Sequence, residues 1–93
     1  MSFKYGYKDL CHKPISKSLL ECGCAVLDLS RLGNGAPDCL CVRGNIIRLF
    51  EFKSDKGKFR KSQLKWQNDN PRMAQYYRKI TTFEMAAKEM ELI

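Results

Sequence analysis

The dipeptide Gly44-Asn45 stands between the runs DCLCVR and IIRLFEFK, and no other feature so narrows how this chain can fold. A Gly-Asn pair flanked by strand-forming residues reads as a two-residue β-hairpin loop. That loop sets the register: Arg43 pairs with Ile46, and each further pair moves one residue outward on both strands. Asp38 then falls opposite Glu51. Opposed residues point to one face with Cβ atoms about 5 Å apart, and Lys53, two positions along, shares that face. Phe50 and Phe52 alternate with these charged residues and take the other face, towards a core.

The rest of the chain builds around this hairpin. Residues 14–22, PISKSLLEC, place Ile15, Leu19 and Cys22 at helical spacing, with Pro14 suited to the first turn and Gly23 to termination. CAVLDLS (residues 24–30) reads as a strand ended by the turn-rich RLGNGAP, and the next strand opens near Pro37. A helix over RKSQLKWQ, a strand over AQYYRKI with Tyr76 and Tyr77 on opposite faces, and a helix over FEMAAKEMEL follow. Thr81 and Glu84 have the spacing of a capping box for that last helix, whose apolar face would carry Met85, Ala86 and Met90. The order helix, three strands, helix, strand, helix predicts an α/β sandwich around a mixed sheet. No repeat or linker interrupts residues 1–93, so a single domain is expected.

Composition narrows the function. A net charge of +7 favours a polyanionic partner such as nucleic acid. No apolar run approaches the roughly 18 residues of a membrane span, and the opening MSFKYGYKDL lacks the apolar stretch of a signal peptide, so an intracellular location is expected. An odd number of cysteines, five, argues against a disulfide framework. Cys22/Cys24 and Cys39/Cys41 have C-x-C spacing, whereas structural zinc usually takes C-x-x-C, and small buried hydrophobes are the preferred reading.

Two carboxylates opposed on one sheet face repel unless a positive charge lies between them. A divalent cation answers that need: Mg²⁺ takes hard oxygen ligands and keeps several waters, so Asp38, Glu51 and the Phe52 carbonyl would suffice. Such an ion polarises phosphoryl oxygens, and Lys53 beside it would stabilise charge on a pentavalent phosphate. Against this stands the plain reading of Asp, Glu and Lys as ordinary surface residues; their emergence from an apolar neighbourhood of Leu40, Ile47 and Leu49 favours the chemical one. Lys56, Lys58, Arg60, Lys61 and Lys65 follow, offset only by Asp55, and could hold neighbouring phosphates without reading sequence. Trp66 reads as core packing in preference to base stacking. No helix-turn-helix or zinc-finger pattern supplies base readout.

Gly35, Pro37 and Asp38, then Glu51-x-Lys53, then Ser62-Gln63-x-x-Trp66 resemble the VRR-NUC branch of the PD-(D/E)XK nucleases, in particular its small stand-alone phage proteins. The resemblance covers roughly residues 12–86. It implies a restriction-endonuclease-like fold, Mg²⁺ or Mn²⁺ held by Asp38 and Glu51, Lys53 as the catalytic lysine, and Gln63 assisting. It further implies an endodeoxyribonuclease acting on structured or branched DNA such as Holliday junctions, where paired cuts call for a homodimer. One departure is that Pro14 takes the place of the acid many members carry in the first helix, which leaves a second metal in question. Glu21 near that helix end and His12 are weaker candidates for the site. The alternative is a non-catalytic DNA-binding module that keeps the fold.

Overall fold

The computed structural model describes residues 12–54 and 56–93, with side chains from residue 14 onward. Helix α1 (His12–Glu21) leads to strands β1 (Ala25–Asp28), β2 (Cys39–Arg43) and β3 (Ile46–Phe52). Helices α2 (Lys61–Asp69) and α3 (Pro71–Ala74), strand β4 (Tyr77–Ile80) and helix α4 (Phe83–Glu89) complete the chain. The strands form one sheet in the order β1-β2-β3-β4. β1, β2 and β3 run antiparallel in sequence, while β4 lies parallel to β3. This is a mixed α/β fold, a four-stranded sheet with flanking helices.

The hairpin register is the one Gly44-Asn45 dictates, with Arg43 paired to Ile46 and Cys39 to Phe50. Gly44 has φ +59 and Asn45 stays out of the left-handed region, the pattern of a II′ turn with glycine at its first central position. Ladder pairing stops at Cys39. The Asp38 N–H donates to the Phe50 carbonyl at 2.8 Å, one residue short of the expected Glu51 partner. Asp38 therefore bends off the strand end and does not continue the ladder opposite Glu51. The cause is a competing set of bonds: the Asp38 carbonyl accepts from Leu29 N–H at 2.7 Å, and its carboxylate accepts from Phe52 N–H at 2.8 Å.

Pairing sorts the side chains onto two faces. Cys39, Cys41, Phe50, Phe52 and Ile80 pack with Ile15 and Leu19 of α1, Ala86 of α4 and Met90 at the end of that helix, and this cluster is the core. Phe50 is fully enclosed, a burial that contributes about 2 to 3 kcal/mol. Leu49, Glu51 and Tyr77 point to the opposite face, where Trp66 packs at 5.4 Å from the Tyr77 ring. α2 covers only part of that face: Leu27 and Ile47 are 57% and 42% exposed.

Several expected details differ. Cys22 is exposed, and Cys24 takes the core position because Gly23 at φ +92 redirects the chain into β1. β4 starts only at Tyr77, since Pro71 opens the short α3 across Ala74. The cap of α4 is Thr82, whose hydroxyl accepts from Met85 N–H, and not Thr81, which lies one residue closer to the strand end at Ile80. Ala87 is buried on α4 in place of Met85. Buried Cys24, Cys39 and Cys41 are free thiols; desolvation pushes Cys41 up to about 12 and raises Cys39 as well, so both stay neutral.

Candidate active site

Glu51 is the anomaly from which the site is built. It sits at the C-terminal end of β3, one residue past its last pairing with β2, yet is only 5% exposed, on the face that α2 covers. Its Oε2 accepts from Gln63 Nε2 at 2.7 Å and lies 3.8 Å from Lys53 Nζ. Its Oε1 is buried and has no hydrogen-bond partner. Burial first, and the Asp38 charge second, push the Glu51 carboxyl up to about 7; Lys53, Arg60 and the Gln63 bond pull against that rise without cancelling it. A carboxyl held this far from its ordinary value is one the fold has left incompletely compensated.

Gln63 explains how α2 reaches the sheet. Its Oε1 accepts from Arg60 N–H at 2.8 Å, closing the first turn of α2, while its Nε2 is directed at Glu51. Both ends of the amide are thus assigned by their partners, and the side chain is 4% exposed. Lys53 follows the end of β3, and its N–H donates to the Ile80 carbonyl at 2.9 Å. Its side chain is 10% exposed. Lys79, opposite Glu51 in the parallel ladder, donates from Nζ to the Gly57 carbonyl at 3.2 Å, tying the basic loop to the sheet.

A cleft of about 360 Å³ opens over these groups, between the loop after β1 and the first turn of α2. Asp38 and Glu51 form its floor; Asn34 and Gly35 line one wall, and Arg60 and Ser62 the other. The loop lies flush on the helix: Gly35 has φ +84, and a Cβ there would overlap the Ser62 carbonyl. The Tyr77 hydroxyl, donating to the Gly35 carbonyl at 3.1 Å, fastens the contact from below. Burial, then the Glu51 and Asp38 charges and the approach of its hydroxyl to the Glu51 carboxylate, raise the Tyr77 phenol, which stays a donor at neutral pH.

The structure brings together Asp38, Glu51 and Gln63 around the cleft, with Lys53 against Glu51. Asp38 and Glu51 are hard oxygen donors, the buried unpartnered Oε1 is an acceptor that a cation would satisfy, and the raised carboxyl is one a cation would return to its ionised form. The donor set fits Mg²⁺ or Mn²⁺ on that ground. Among the described residues no group of three or more His, Cys, Asp or Glu side chains is placed to hold a metal, so Asp38 and Glu51 stand as a pair. Lys56, Lys58, Arg60, Lys61 and Lys65 are all exposed along the segment leading into α2, and Lys65 also pairs with Asp69 at 2.7 Å. Pro14 and Glu21 are exposed on α1, whose apolar side packs on the opposite face of the sheet. The His12 side chain and Asp55 lie outside the described residues.

Sequence reasoning missed Tyr77, Lys79 and the loop residues Ser30 and Asn34. Only the φ-permissive Gly-Asn-Gly of residues 33–35 signalled that this loop folds tightly. No protein-family model, curated protein or solved structure matches the chain.

Proposed function

We propose that the protein is a metal-dependent endodeoxyribonuclease of the VRR-NUC type in the PD-(D/E)XK group, with a restriction-endonuclease-like fold. The observation that carries this reading is Glu51, a buried carboxylate with one unpartnered oxygen and a pKa of about 7, with Asp38 in the same cleft and Lys53 against it. A stability-driven fold has no use for that arrangement, because an apolar residue would fill the position at lower cost. Asp38, Glu51 and the Phe52 carbonyl hold Mg²⁺ or Mn²⁺, which when bound polarises a phosphoryl oxygen and lowers the pKa of its water. Lys53 places a positive charge where negative charge grows on the phosphate. Gln63 orients the Glu51 carboxylate by its 2.7 Å bond and leaves the other oxygen to a bound cation. Lys56, Lys58, Arg60, Lys61 and Lys65 hold flanking phosphates, so affinity comes without base readout.

The substrate class is structured or branched DNA, Holliday junctions among them, cut by a C2 homodimer. Support for the second copy lies in the part of the sheet that α2 leaves open, where Leu27 and Ile47 are exposed beside Leu40 and Val42, an apolar strip among the described residues in a chain of net charge +7. A second reading, a DNA-binding module without catalysis, is favoured by one fact: among the described residues the site gathers two carboxylates and no more. Purified protein incubated with Mg²⁺ or Mn²⁺ and labelled duplex, flap, splayed-arm and four-way substrates separates the two. Metal-dependent nicking of any substrate supports the nuclease; salt-sensitive binding without nicking in either metal rejects it.

A further inference from the structure

The two walls of the cleft come from segments far apart in sequence, and one side chain touches both. Tyr77 projects from β4 on the Glu51 face and is 6% exposed. Its ring meets Trp66 of α2 at 5.4 Å and Phe59, just before that helix, edge-on at 5.4 Å. Its hydroxyl reaches past the ring contacts to the Gly35 carbonyl in the opposite wall. Gly35 in turn leans on the Ser62 backbone, so loop, helix and strand meet at a single triangular contact.

Asp38 is tied to the sheet. Its backbone and carboxylate are held by Phe50, Phe52 and Leu29, all in or beside the sheet. Glu51 is carried by β3 and held by Gln63, with the Tyr77 hydroxyl within reach of its carboxylate. The metal-holding floor is therefore set by the sheet, whereas the spacing of the walls above it is set at Gly35. Resting on the nuclease reading, we propose that Tyr77 is a positioning residue that, through Gly35 and Trp66, fixes the width of the cleft and so the placement of the bound phosphate over the two carboxylates. Loss of its hydroxyl leaves the ring packing in place and frees one wall. Misplacement of a reacting group by a fraction of an ångström is enough to slow a reaction substantially.

Tyr77→Phe is the test, with three readouts. In metal-free protein, amide exchange at Ala36, whose N–H donates to Gly33 within the loop, should quicken about tenfold with the melting temperature unchanged. Mn²⁺ affinity, measured by calorimetry, should stay within twofold of wild type because both carboxylates keep their charge and their bonds to Phe52 and Gln63. With Mn²⁺ and the best-cleaved DNA, kcat should fall about tenfold with KM within twofold. Unchanged exchange at Ala36 overturns the proposal whatever the wild type does to DNA. So does a kcat equal to wild type, or a fall in kcat matched by lost Mn²⁺ affinity. Gly35→Ala, which must push Ser62 away, should repeat the kcat loss; a fully active variant would count against the role given to that contact. A wild type that binds no Mn²⁺ and cuts nothing refutes the nuclease reading, and the exchange result then still decides whether Tyr77 fixes the loop.

Discussion

Replacing Glu51 by Gln should stabilise the metal-free protein at alkaline pH and do nothing at acid pH. The carboxyl titrates near 4.5 in an unfolded chain and at about 7 in the native cleft. Between those values the native state holds a proton that the unfolded chain has released, so stability falls as pH rises from about 4.5 and levels off above about 7. At about 1.4 kcal/mol per pH unit, that difference amounts to roughly 3 kcal/mol, a large fraction of what a domain of this size can have. Glutamine keeps an oxygen to accept the Gln63 bond and removes both the desolvated charge and its repulsion with Asp38. Urea unfolding of both proteins from pH 4.5 to 8.5, without metal, should show the wild type weakening as pH rises and Glu51→Gln holding nearly level. The two curves should meet near pH 5. Saturating Mn²⁺ at pH 8 should then restore stability to the wild type alone, by about 2.7 kcal/mol at a hundredfold excess over Kd. A flat wild-type profile, or a glutamine variant less stable at pH 8, would refute the view that Glu51 is an undercompensated charge.

Three further outcomes follow from the same geometry. Asp38→Asn keeps an oxygen to accept the Phe52 N–H but loses the charge; it should abolish cleavage while leaving melting temperature and DNA affinity in Ca²⁺ nearly unchanged, and normal turnover would remove Asp38 from the metal site. Lys53→Ala should slow single-turnover cleavage at least about a hundredfold with little change in Mn²⁺ affinity, the scale of a lost electrostatic contact in a transition state; parallel loss of DNA binding and rate would instead mark Lys53 as a phosphate contact. Leu27→Asp with Ile47→Asp, two exposed changes that spare the core, should convert a dimer into a monomer by light scattering and erase any preference for four-way junctions over duplex, whereas a wild type already monomeric at micromolar concentration would refute the dimer.

What could be read from the sequence was the part governed by local rules. Gly44-Asn45 fixes a turn, a turn fixes a register, and a register places Glu51, Lys53 and Leu49 on one face and Phe50 and Phe52 on the other. Helix α2 was legible from the run RKSQLKWQ, Trp66 from its place one turn beyond Gln63, and Gln63 itself only through the resemblance of Ser62-Gln63-x-x-Trp66. Where prediction slipped, bonds distant in sequence overruled a local preference. Asp38 leaves the ladder because Leu29 and Phe52 offer its carbonyl and carboxylate better partners than continued pairing would. Tyr77 carries no motif at all; its role arises because the parallel pairing of β4 with β3 sets it opposite Leu49, on the face that carries Glu51, and because Gly35, forty-two residues away, can approach Ser62 closely enough to receive its hydroxyl. The same division holds in the chemistry. Residues that would do the chemistry sit on a hairpin whose geometry is written locally, while the groups that tune them, namely burial under α2, the Gln63 bond and the Tyr77 tie, depend on packing that only the folded chain creates. Glu51 is consequently an ordinary glutamate in the sequence and a carboxyl of pKa about 7 in the fold.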